Sequence, residues 1–111
     1  MENGNLGEFE ELVLLMIALL KEDAYGLGIC EEIQVQTGRK ATIGAVHATL
    51  NRLETKGLVE STLGDPTNER GGRRKRLFTI TAYGKKALVR SRDIKVSIWT
   101  QIPELQIKPL P

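Results

Sequence analysis

The sequence predicts a mainly α-helical domain with one small β-hairpin, in the order helix, helix, helix, strand, basic loop, strand, helix. Three observations carry that reading. An unbroken apolar run, Leu12 to Leu20, follows an acidic lead. Three further segments space apolar residues as a helix does, between Thr or Gly boundaries. Two short β-type runs, 58–63 and 75–80, flank a loop rich in Gly and Arg. On this reading, residues 1–80 hold the first three helices and the hairpin, 81–102 form the last helix of the same domain, and 103–111 are a proline-containing tail.

The first helix is expected from about Glu8 to Lys21, because Glu8, Glu10 and Glu11 in its opening turn complement the helix dipole. The nine-residue apolar run is too short to span a membrane. Its acidic leader and the following Lys-Glu-Asp do not fit a signal peptide. A helix apolar all round over two turns has one face for its own core and another that calls for a second subunit. The second helix is read over 25–37, with Tyr25, Ile29, Cys30 and Ile33 on one face and Gly38 as its stop. Gly26 and Gly28 near its start point to close helix packing, since glycine is otherwise costly there. Without a preceding strand or a third glycine they do not make a dinucleotide loop.

Thr42 is placed to cap a third helix that runs to Lys56 and is ended by Gly57. Its apolar stripe is Ile43, Val46, Leu50 and Leu53. At about 100° per residue, Gly44, Ala48, Asn51, Arg52 and Thr55 fall opposite, with Ala45 and His47 flanking. Small residues allow close approach to another surface, and Asn and Arg are side chains that read base edges. The hairpin tip then concentrates Arg70, Arg73, Arg74, Lys75 and Arg76 beside Gly71 and Gly72, which suits phosphates or a narrow minor groove. Thr81 caps a fourth helix from Ala82 to about Ile102, with Leu88, Ile94, Ile98, Trp99 and Ile102 as a rough stripe and Pro103 as its stop.

Composition narrows the function. The formal net charge is only +2. Residues 1–32, however, hold eight acids and one base, and 33–111 hold fifteen bases and six acids. Such a division presents a basic face to a polyanion. One Cys and one His leave no internal disulfide and no Cys/His zinc set. Cys30 reads as a small buried thiol in a reducing compartment, and a helical His47 with no Gly-framed nucleophile leaves an enzyme without a mechanism. No cofactor and no membrane contact are expected.

This order of elements is that of a winged helix-turn-helix. The residues also resemble a known family. Leu50-Asn51-Arg52-Leu53-Glu54-Thr55-Lys56-Gly57-Leu58-Val59 is similar to the L-x-R-L-E-x-x-G-L-V of PadR-type transcriptional regulators. Glu11 to Leu15, Tyr25-Gly26, and Thr81-Ala82-Tyr83-Gly84 follow in the family's order, so that the resemblance covers about residues 6–100. His47 stands where the family usually has Tyr, and Phe78-Thr79 where it has Tyr-Arg. One C-terminal helix matches the short subgroup.

The resemblance implies a bacterial, cytoplasmic, homodimeric repressor on a two-fold symmetric double-stranded DNA operator. The residues expected on DNA are Thr42, Gly44, Ala45, His47, Ala48, Asn51 and Arg52 from the third helix, and Arg70, Arg73, Arg74 and Lys75 from the wing. The dimer is expected to use Leu12, Leu15, Met16, Leu19, Leu88, Ile94, Ile98 and Trp99. In the short subgroup an aromatic residue on the last helix can stack on a planar or cationic small-molecule effector, a role the resemblance implies for Trp99; the alternative is a dimer-core anchor with no ligand. A winged helix kept only as a protein-interaction scaffold is the alternative, and the basic loop argues against it.

Overall fold

The computed structural model describes residues 5–66 and 74–105. Its elements are α1 (Glu8–Leu20), α2 (Gly26–Thr37), α3 (Ile43–Thr55), β1 (Val59–Pro66), β2 (Arg74–Ile80) and α4 (Ala82–Thr100), with short 3-10 turns at Lys21–Asp23 and Pro103–Leu105. α1, α2 and α3 pack around one core in which Val13, Leu14, Ile29, Ile33, Leu50 and Leu53 have no exposed surface. Leu58, Val59 and Phe78 carry that core to the hairpin. The fold is mainly helical with a two-stranded hairpin, as the sequence indicates.

The helix boundaries follow local chemistry. α2 ends where Gly38 turns left-handed at φ 74°, its amide donating to the Gln34 carbonyl. The Thr42 hydroxyl accepts from the Ala45 amide at 3.1 Å and starts α3. α1 opens on Gly7, whose amide donates to Glu10 Oε1 at 2.9 Å. β1 pairs antiparallel with β2 from Val59 opposite Ile80 to Leu63 opposite Arg76, and the register shifts before Pro66 opposite Arg74.

Several expectations need correction. Tyr25 is not on the buried face of α2: it precedes the helix and pairs across to Leu77, while the Phe78 amide donates to the Ala24 carbonyl at 3.0 Å. The dipeptide Ala24-Tyr25 thus adds a short edge to the hairpin. Ile43 is 42% exposed because it lies in the first turn of α3, ahead of the buried Val46, and Thr49 takes a core place instead. Cys30 is only half-buried, its thiol donating to the Ala41 carbonyl at 2.8 Å.

α4 is anchored at one end. Its cap, Thr81, accepts from the Gly84 amide at 3.0 Å and donates to the Gly57 carbonyl at 2.8 Å. Gly84 and Ala87 are buried, and Glu11 of α1 accepts from Ser91 and Lys95 of α4. From Arg92 to Gln101 every residue is exposed. The Cα radius of gyration is accordingly 16.0 Å, against about 13 Å for a compact chain of this length.

Candidate nucleic-acid interface

α3 divides cleanly into two faces. Val46, Thr49, Leu50 and Leu53 are buried, while Gly44, Ala45, His47, Ala48, Asn51, Arg52 and Thr55 are exposed. Toward the N-terminus this outer face is small: a Cβ added at Gly44 would meet nothing within 4 Å. Further along it is polar. Among the described residues, neither the His47 ring nor the Asn51 amide has a hydrogen-bond partner, so both are available to an external ligand.

Arg52 is different. Its Nε lies 3.3 Å from Glu10 Oε2 and one of its terminal nitrogens donates to Thr49 Oγ1 at 3.0 Å. Lys56 donates to both oxygens of the same carboxylate, at 2.8 and 3.0 Å. Glu10 is thus a buried acid, which its place in an acidic helix start did not reveal, and it ties the C-terminal end of α3 to the first turn of α1. Arg52, whose side chain is 55% exposed, thus helps to anchor α3 to α1 while it stays on the outer face of the helix.

Burial pushes the Glu10 carboxyl up, but hydrogen bonds from Lys56, the Gly7 amide and Arg52, together with the Lys56 charge, outweigh it and hold its pKa below the ordinary 4.5. A carboxylate with a lowered folded pKa contributes stability that is complete above 4.5 and is lost as pH falls through the folded value. Urea midpoints measured from pH 7 to 3 are therefore expected to fall at the acid end. In Glu10→Gln the midpoint should be lower at pH 7, by about 1–2 kcal/mol of stability, and the acid-end fall shallower. An unchanged acid-end slope in the variant would assign that slope to other carboxylates.

On the hairpin, Lys75 and Arg76 are exposed. The Lys75 ammonium lies 5.3 Å from the centre of the Tyr25 ring. Arg76 donates to Ser61 Oγ at 2.9 Å, and that hydroxyl donates to Glu54 of α3 at 2.8 Å. Arg74 opens β2; Arg70 and Arg73 lie outside the described residues. Lys75 and Arg76 therefore flank the α2–α3 side of the domain, linked to it through Tyr25 and Ser61.

The residues expected at a dimer interface fall into three groups. Leu15, Leu19, Ile94, Ile98 and Trp99 are about half exposed, Leu12 and Leu88 are half-buried, and Met16 is in the core. Met16 belongs to the inner face of α1 with Val13 and Ile17. Trp99 lines a cleft of about 430 Å³ between α1 and α4 with Glu11, Leu15, Leu88, Val89, Arg92, Lys95 and Val96.

A helix-turn-helix whose second member presents an open polar face, followed by a hairpin whose second strand is basic, defines a winged-helix DNA-binding regulator of transcription. Residues 14–90 match the profile of the transcriptional regulator PadR-like family, and the chain belongs to it. That is a family of transcriptional regulators, not of enzymes. No curated protein sequence matches significantly.

Solved structures agree on the fold. The chain is similar to a PadR-like transcriptional regulator from Bacillus cereus, with a TM-score of 0.70 and 21% identity, over 90% of this chain and 93% of that one. A PadR family transcription regulator from hypervirulent Clostridium difficile gives a TM-score of 0.66 at 21% identity, covering 84% and 95%. The complex structure of hsRosR-S4 gives 0.67 at 25% identity, covering 86% and 76%. Among the described residues no helix is long and apolar enough to cross a membrane.

Proposed function

We propose that the protein is a homodimeric, sequence-specific repressor that sets α3 in the major groove of a two-fold symmetric operator, with the basic wing on phosphates or in the minor groove. The outer face of α3 carries this reading: small residues first, then His47 and Asn51, which have no hydrogen-bond partner among the described residues, on a domain whose hairpin carries the basic β2. α1 and α4 form the dimer through Leu15, Leu19, Ile94, Ile98 and Trp99, with Leu12 and Leu88 at its margin. Met16, being buried, supports that surface from below. A planar cationic effector stacks on Trp99 in the cleft between α1 and α4. Bacterial origin and a cytoplasmic location accord with this role.

Duplexes selected from a random pool supply the operator, and titrations at several salt concentrations test the contacts. Arg73→Ala with Arg74→Ala should weaken binding to operator and scrambled duplex alike, lowering the slope of log affinity against log salt by roughly 0.9 per lost phosphate contact. Asn51→Ala should weaken operator binding by about 1–3 kcal/mol, with scrambled-duplex binding and its salt slope nearly unchanged. Equal losses on both duplexes for Asn51→Ala would show that another face of α3 meets DNA.

A further inference from the structure

α2 opens on a glycine that its own helix does not require. Gly26, the first residue of α2, does not share the positive φ of Gly38 and Gly57, so its backbone conformation does not call for glycine. What occupies the space of its missing side chain is His47. A Cβ at position 26 would lie 2.9 Å from Cε1, 3.2 Å from Nε2 and 3.7 Å from Nδ1 of that ring. The imidazole therefore rests on the bare Cα of Gly26. The preceding residue, Tyr25, pairs with Leu77 of β2 and lies under the Lys75 ammonium. Two consecutive residues thus touch α3 on one side and the wing strand on the other.

The kind of neighbour matters. At Gly28 an added Cβ would meet the Asp23 carbonyl oxygen at 3.2 Å, and at Gly84 the Leu58 carbonyl oxygen at 2.2 Å; both are backbone atoms that cannot move alone. At Gly26 the obstacle is the end of a side chain that rotates about two bonds. An alanine there displaces the ring and leaves the packing of α2 intact.

We propose that Gly26 is a positioning residue for DNA recognition: the absence of a Cβ seats His47 against the start of α2, at the height and orientation in which it meets the operator. Tyr25 holds Lys75 of the wing at a set distance from it. This rests on the reading of the outer face of α3 as the DNA-contacting surface. The Tyr25-Gly26 pair then has a functional role that its position between two helices does not suggest. It sets the spacing between one contact on the recognition helix and one on the wing.

The test uses the full chain, the selected operator and a scrambled duplex, with wild type, Gly26→Ala, His47→Ala and the double variant. Gly26→Ala should keep or raise the melting temperature, because it adds helix propensity. It should also lower the operator-to-scrambled affinity ratio by about tenfold, and add nothing further in the His47→Ala background. A wild-type ratio in Gly26→Ala overturns the proposal. So does an equal loss with and without the His47 ring, or a marked fall in melting temperature, which would make Gly26 a packing residue. If His47→Ala binds normally while Asn51→Ala loses operator affinity, the proposal fails and the α3 reading stands. If neither variant changes operator binding, the α3 reading fails with it.

Discussion

Gly84→Ala is expected to lower stability by about 3 kcal/mol or more and the melting temperature by on the order of 10 °C. A Cβ at this position would lie 2.2 Å from the Leu58 carbonyl oxygen and 2.8 Å from Ile80 Cγ1. Neither neighbour is free to yield. The Leu58 carbonyl already accepts from the Thr81 amide at 3.1 Å, and the Leu58 amide donates to Leu53 at the end of α3. The joint therefore connects α3, both strands and α4, and taking the methyl from 2.2 Å to an ordinary contact of 3.4 Å, a shift of about 1 Å, would break the hydrogen bond from the Thr81 amide to the Leu58 carbonyl. Native stability is commonly only about 5–15 kcal/mol, so the loss is a large share of the whole. Gly44→Ala is the control: with nothing within 4 Å of its added Cβ, it should gain about 0.5–1 kcal/mol. Chemical denaturation of the two variants checks the contrast, and a Gly84→Ala protein as stable as wild type would show that α4 can slide away from Leu58 without cost.

Ile94→Lys combined with Ile98→Lys is expected to give a folded monomer that binds the operator about a hundredfold more weakly, or worse. Ile94 is 50% exposed, Ile98 52% and Trp99 52%, and α1 adds Leu15 at 44% and Leu19 at 51%. Burying one such side chain fully contributes about 1.5–3 kcal/mol. In the proposed dimer, two-fold symmetry would present every one of them twice. Lysine is a better helix former than isoleucine and these positions face outward, so the substitutions should leave the monomer intact. Two half-sites bound by one dimer share a single loss of translational freedom, and a monomer forfeits that advantage. Sedimentation gives the mass and circular dichroism the fold. Emission from Trp99, the one tryptophan, should shift to the red on dissociation, and quenching by planar cationic compounds should be confined to the dimer. A variant that stays dimeric would move the interface off α4.

The boundaries of the elements were legible in the sequence because each is set by a local signal. Thr42 and Thr81 cap the amides three residues ahead, Gly38 and Gly57 take positive φ where the helices end, and Val46, Leu50 and Leu53 recur on one face of α3. None of these needs a partner from elsewhere in the chain. The exposed face of α3 follows directly from its buried one, so His47 and Asn51 were also within reach. What the tertiary structure decided are the contacts between segments. Glu10 is an ordinary acid of a helix start until α3 brings Lys56 to it across 46 residues and Arg52 across 42. Met16 and Leu15 are neighbours in one apolar run, and only the angle at which α1 meets the other helices buries one and exposes the other. Tyr25 follows helical spacing, yet it stays extended ahead of α2, because it pairs with Leu77 where the Phe78 amide donates to the neighbouring Ala24 carbonyl, a contact that only the packed hairpin supplies. Gly26 beneath His47, and Gly84 against Leu58, are close approaches across elements that no periodicity records.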